Sequence, residues 1–288
     1  MYEFLIAPFA DFDFMKRALI GSFALALGAG PVGVFLMLRR LSLTGDAMAH
    51  AILPGAGVGY LVAGLSLPAM TIGGLVAGVT VAVLSGLVAR FTALKEDASL
   101  AAFYLLSLAL GVMLVSLRGS NVDLLHVLFG TVLALDNATL ILISGITSLT
   151  LVSLALFFRP LVLECMDPGY LRSVSSAGAP VHFLFLALVV MNLVGGFHAL
   201  GTLLAVGLMM LPAAGARLWT QDLTRLLIVS VIAGMASGYL GLLASYHFEV
   251  PAGPSIILAA GLFYLASLAF GREGGFIRRL VPARHLEA

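Results

Sequence analysis

Long apolar stretches separated by short polar breaks run along almost the whole chain, at about 15–38, 41–64, 68–90, 98–117, 138–158, 181–196, 198–215, 223–246 and 254–271. Each is close to the roughly 20 residues that a helix rising about 1.5 Å per residue needs to cross about 30 Å of hydrocarbon. The pattern predicts an all-α polytopic membrane protein of about nine spans, forming one transmembrane domain over 1–288 with a tail at 272–288. The sixth and seventh runs are separated only by Gly195, Gly196 and Phe197, and fusing them would invert everything downstream. Residues 119–137 are too polar at their ends for a span and too apolar for a free loop, which predicts a short re-entrant or interfacial helix.

Composition agrees and removes other classes. With 61% hydrophobic and 10% charged residues, the 288-residue chain is no water-soluble globule. The net charge is +1 and the longest basic run is RRLVPAR at 278–284, so nucleic acid is not an expected partner. The single cysteine, Cys165, leaves metal chemistry to His, Asp, Glu and backbone oxygens. The N-terminus is acidic and lacks a small-residue cleavage site, so no cleaved signal peptide is expected. With the N-terminus outside, Arg39, Arg40, Arg90, Lys95, Arg159, Arg172, Arg217, Arg225, Arg272, Arg278, Arg279 and Arg284 fall on the cytoplasmic side. Only Lys16, Arg17 and Arg118 fall outside, and that asymmetry predicts an odd number of spans and a cytoplasmic C-terminus.

The chemistry concentrates in LTGDAMAHAILPG, residues 43–55. Asp46 and His50 are four apart, hence one turn above the other on the same helix face. If the second span starts near Leu41, Asp46 lies roughly 8 Å and His50 roughly 14 Å into the core, at about 1.5 Å per residue. An Asp there costs roughly 2.5–3.5 kcal/mol on insertion scales. A carboxylate beside an imidazole is half of a divalent-metal shell. Pro54 lacks the amide that would bond the carbonyl of His50, which frees that oxygen and predicts a kink, as Pro212 does in the seventh span. The competing role for the pair is interhelical hydrogen bonding. Oxygen and nitrogen ligands without thiolate suit Zn(II), Mn(II) and Fe(II) alike. His126, His198 and His247 map to the outer face as solvated or interfacial side chains, Asn192 to an interhelical hydrogen bond, Met209 and Met210 to packing, and His182 and His285 to the cytoplasmic side.

No GxxxxGK[ST], HExxH or GxSxG occurs, so neither ATP hydrolysis of the P-loop kind nor the common hydrolase chemistries belong to this chain. The longest cytoplasmic connection, 158–180, predicts a short helix from Pro168 to about Ser175, with Asp167 as N-cap and Pro168 at N1. Five ordered blocks then carry a resemblance: RRLSLTGDAMAHAILPGAGVGYL at 39–61, HVLFGTVLAL at 126–135, MDPGYLRSVSSAGAPV at 166–181, ALGTLLAVGLMMLPAAGARLW at 199–219 and VPAGPSIILAAGLFYLASLAF at 250–270. Together they resemble the permease subunit of bacterial ABC importers of zinc, manganese and iron.

The resemblance implies a fold related to the cobalamin-type (type II) ABC importers, in the bacterial inner membrane. It implies a permease homodimer, two cytoplasmic ATPase subunits and an extracytoplasmic metal-binding protein. It implies that Asp46 and His50 form the metal site of the translocation path, with no permanently bound cofactor and ATP acting only through the partner. Asp167, Pro168, Gly169, Leu171 and Arg172 would belong to the coupling helix that rests on the ATPase. The segment RSVSSAGAP is more polar than the family's usual run. Zinc is expected first as cargo, then manganese or iron(II). A proton-coupled secondary transporter using the same Asp–His pair, without an ATPase, is the alternative from another class, and an intramembrane metalloenzyme lacks ligands.

Overall fold

The structure, a computed structural model, describes residues 2–64, 66–92, 94, 96–117, 132–175, 178–273 and 275–276. Two short helices, α1 (Tyr2–Leu5) and α2 (Ala7–Asp11), precede α3 (Asp13–Leu38), α4 (Ser42–Ala63), α5 (Leu67–Phe91) and α6 (Glu96–Leu117). A single 3-10 turn, Val132–Ala134, leads into α7 (Asn137–Leu156), α8 (Phe158–Met166) and α9 (Pro168–Val174). Next come α10 (Gly178–Leu200), α11 (Thr202–Arg217), α12 (Leu223–Phe248) and α13 (Ala252–Phe270). The described chain is an all-helical bundle. The interfacial helix expected within 119–137, with Arg118 and His126, lies for the most part outside the described residues.

Among the described residues, six helices are long and apolar enough to cross a membrane, namely α3, α5, α7, α10, α12 and α13. The apolar part of α6, Asp97–Leu110, and α11 are shorter. Helix α4 has the length at 22 residues, but Asp46, His50, Pro54 and its glycines dilute its apolar character.

Helix α3 is the central post. Ala18, Leu25, Ala26, Ala29, Val32 and Phe35 are buried on it, and α7, α10, α11 and α12 pack around it. The two GxxxG pairs mark helix contacts. Gly74 and Gly78 on α5 face Ile52 of α4 and Val190 of α10, whereas Gly234 and Gly238 on α12 face Ala26 and Ser22 of α3. Without a hydrophobic drive between helices in lipid, this small-residue packing supplies the contact area. Asn192 forms the interhelical bond expected of it, its amide donating to Thr150 Oγ1 on α7 at 2.8 Å.

Two expectations are corrected, and one contact is new. The break between the sixth and seventh runs lies at Gly201, not at Gly195–Phe197. Helix α10 continues through both glycines, and Gly201 turns the chain with φ 84°, a conformation open to glycine at no steric cost. The connection from 158 to 180 holds two helices rather than one, since α8 begins at Phe158 where the apolar run of α7 was expected to end. Finally, the acidic N-terminal residues are helical and tied to α12, with Tyr239 donating to the carbonyl of Leu5 at 3.0 Å and His247 stacked on Phe4.

Candidate functional site

Helix α4 is set by a tight turn out of α3. Arg40 sits in the left-handed region at φ 59°, the Leu41 amide donates to the Leu36 carbonyl at 3.0 Å and the Arg40 amide to Met37 at 3.1 Å. That pair of bonds closes the end of α3 in the Schellman manner and launches α4 one residue later. The helix then runs along α5 and α6. Gly55, Gly59 and Gly73 let the backbones of α4 and α5 touch, because a Cβ on Gly73 would overlap the carbonyl of Gly55. Ser107 of α6 donates to the Ala51 carbonyl at 3.2 Å and Tyr104 stacks near the His50 ring, with centroids 6.2 Å apart.

On that helix, Asp46 Oδ1 and His50 Nε2 are 3.7 Å apart, too long for a direct hydrogen bond. Two metal–ligand bonds of about 2.1 Å meeting at a tetrahedral angle span roughly 3.4 Å, so the pair can chelate one divalent ion with little adjustment. The side chains are 66% and 32% exposed respectively. They belong to a partly open stripe, exposed at 43 and 46 and half-buried at 50, 53 and 57, while 44, 45, 47–49, 51, 52 and 54 are buried. Among the described residues no third His, Cys, Asp or Glu joins them to make a metal cluster. Pro54 lies inside α4 and Pro212 inside α11, and both helices continue past their prolines.

The second predicted group lies on α9. Asp167 is its N-cap, Oδ1 accepting from the Tyr170 amide at 2.9 Å, and Pro168 is in its first turn. Leu171 is buried, so it anchors the helix, while Gly169 and Tyr170 are exposed. Arg172 lies within the same short helix, which packs on α8 and α10. Of the remaining histidines, His198 is partly buried with Nδ1 2.9 Å from the Val194 carbonyl, and His247 Nε2 lies 2.9 Å from the Phe4 carbonyl.

One cluster escaped sequence reasoning. Arg39, the C-cap of α3, places Nη2 3.1 Å from Glu164 Oε1 on α8 and 2.8 Å from His182 Nδ1 on α10. Because arginine only donates, Nδ1 of His182 accepts. The guanidinium also lies 5.0 Å from the ring centre of Phe185. Both charged side chains are buried, at 8% and 3% exposure. His182, expected to be an ordinary cytoplasmic residue, is thus part of an interior polar contact. The signal available was Glu164 itself, an acid in the apolar run LVLECM beside Leu161. The same surroundings, chiefly loss of hydration, push the neighbouring Cys165 thiol up to about 11.

A bundle in which six of the described helices are long and apolar enough to cross a membrane defines a polytopic membrane protein. The comparisons with known proteins make the assignment specific: the chain belongs to the ABC 3 transport family, whose model matches residues 11–271. It is 31% identical to the manganese import system permease protein ScaB of Streptococcus gordonii, over 98% of this chain and 100% of that one. It is 30% identical to the manganese transport system membrane protein MntC of Halalkalibacterium halodurans, over 96% and 94%. Among solved structures it is similar to a chain of PsaBC from Streptococcus pneumoniae in complex with Fab, at TM-score 0.84 and 30% identity, covering 98% of this chain and 100% of that one. An inward-facing putative metal-chelate type ABC transporter shares the fold at TM-score 0.68 and 17% identity, over 88% and 85%. The chain is therefore the permease component of an ABC transporter and a multi-pass membrane protein.

Proposed function

We propose that this chain is the permease half of an ATP-driven importer of Mn(II) in the bacterial plasma membrane. The observation that carries the reading is the Asp46–His50 pair, 3.7 Å apart on the partly open stripe of α4. In hydrocarbon an Asp facing lipid costs roughly 2.5–3.5 kcal/mol, so the stripe faces a second copy of the chain across a translocation path. Two copies offer two carboxylates and two imidazoles, a set that a cation can enter and leave. Imidazole and carboxylate fit manganese and zinc alike. The relatives named for manganese put it first, ahead of the zinc that the sequence and its family resemblance led us to expect.

Nine helices cross the membrane in this reading: α3 to α7 and α10 to α13, with the N-terminus outside and the C-terminus in the cytoplasm, as the distribution of Arg and Lys favours. Helix α9 then lies on the cytoplasmic side, where its exposed Gly169 and Tyr170 meet an ATPase dimer and Leu171 holds it to the bundle. A metal-binding protein delivers cargo on the opposite face. Membrane vesicles holding the complete transporter test the site. His50→Ala should lower uptake of radioactive Mn(II) by about tenfold or more, the loss of one ligand in a sparse shell, while the complex still copurifies. Uptake equal to that of the unaltered transporter overturns the assignment.

A further inference from the structure

Arg39 and Glu164 stand at two turns with different tasks. Arg39 is the C-cap of α3, three residues before α4 begins and seven before Asp46. Glu164 is on α8, three residues before Asp167, the N-cap of α9. The 3.1 Å contact between them joins the segment that carries α9 to the segment that launches the metal-bearing helix.

The contact is also half-made. A buried arginine and carboxylate favour two parallel N–H···O bonds. Here only Nη2 bonds Oε1, whereas Arg39 Nη1 and Glu164 Oε2 are both buried without a hydrogen-bond partner. From the other side α10 holds the guanidinium through His182 Nδ1 and the ring of Phe185. Two orphaned groups that match each other, in a low dielectric, have a second arrangement available in which the fork closes.

We propose that Arg39, Glu164 and His182 form a two-position latch, and that closing its open fork transmits movement of α8 and α9 to the turn that sets Asp46 and His50. The three are positioning residues, since none of them touches the cargo. The inference rests on the reading of α9 as the contact with the ATPase.

The test uses the complete transporter in proteoliposomes, reading Mn(II) moved per ATP hydrolysed. The double variant Arg39→Met/Glu164→Met replaces both charges with apolar side chains of similar length, a change that buried ion pairs commonly tolerate. A pair that merely holds the fold predicts normal coupling in that variant. The latch predicts an assembled complex that still hydrolyses ATP but moves about tenfold less Mn(II) per ATP, within the usual range of coupling between sites. Glu164→Gln keeps one acceptor of the same length and is expected to fall between the two, which keeps the proposal testable if the double variant fails to assemble. Unchanged metal per ATP in whichever of these variants assembles overturns the latch. Tyr170→Asp on the exposed face of α9 separates the two readings. If Tyr170→Asp uncouples and the methionine pair does not, the latch alone fails. If Tyr170→Asp leaves the ATPase bound and coupling intact, the role of α9 fails and the latch loses its input.

Discussion

A single methyl group at Gly73 should drive α4 away from α5. The added Cβ would overlap the carbonyl oxygen of Gly55, lie 2.9 Å from the carbonyl carbon of that residue and 3.4 Å from the amide nitrogen of Gly59. All three are backbone atoms, so no rotamer change relieves the clash. Restoring ordinary contact at about 3.5 Å requires the two backbones to part by roughly 1 Å. Overpacking of this kind costs roughly 1–3 kcal/mol. For a chain of this size that is a fall in melting temperature of roughly 2–10 °C. Thermal unfolding of the detergent-solubilised protein measures it, and Mn(II) uptake by vesicles reports the displaced α4. The control is Gly261→Ala on α13, where a Cβ meets nothing within 4 Å. There the methyl adds helix propensity, about 1 kcal/mol over glycine, and should leave the protein unharmed. Gly73→Ala melting at or above the unaltered protein, with uptake unchanged, would refute the reasoning that glycine is present for backbone contact.

The other predictions concern α8 and α9. With its thiol pushed up to about 11 from an ordinary 9.0, Cys165 should resist iodoacetamide at pH 8 in the folded protein, react faster as pH rises towards 11, and react readily once unfolded in detergent; fast labelling of the folded chain at pH 8 would contradict the burial argument. Because the folded state holds that proton more tightly, the associated stability is full below about pH 9 and is lost as pH rises through about 11, which a pH series of melting curves checks. Asp167→Ala removes the side-chain N-cap of the seven-residue α9, worth about 1 kcal/mol, and a helix so short depends on its caps and packing. Copurification with the ATPase should weaken in that variant, and an unchanged yield would argue against docking through α9.

The membrane-spanning architecture was legible because hydrophobic length is a direct physical requirement of the bilayer. The 138–158 run could be read as one element for that reason, yet length alone misses the change of direction at Phe157 that starts α8. Asp167 and Pro168 were readable because capping chemistry is local, and the structure puts the cap bond where the residue order predicts it. The break at Gly201 was misplaced because Gly195 and Gly196 offer the same permissive backbone. What distinguishes the sites is tertiary: Gly196 packs against Ala205 inside the helix, and only Gly201 takes the positive φ. Arg39–Glu164 was invisible for a related reason. Its partners are 125 residues apart, and charge counting took in Arg39 alone, on the cytoplasmic side, whereas folding withdraws both from solvent together. The Asp46–His50 pair was legible as a motif and as half a shell, but not which face of α4 the other helices leave open, since that depends on packing.

That open face connects energetics to the proposed task. Uncovered in one chain, Asp46 is a liability in lipid, and a second copy placed against the same stripe would bring two carboxylates together. Like charges in a low-dielectric gap repel, and at 4 Å with an effective dielectric near 20 the repulsion is about 4 kcal/mol. A divalent cation between the two copies cancels both charges and turns that repulsion into attraction. Loading the site and drawing the two α4 helices together then become one event. Separating the helices would weaken the proposed site in turn, because among the described residues no third His, Cys, Asp or Glu joins Asp46 and His50 within one chain. On the proposed reading, a site half-built in each chain would release its cargo when the halves part, and an ATPase acting through α9 would need only to control that distance.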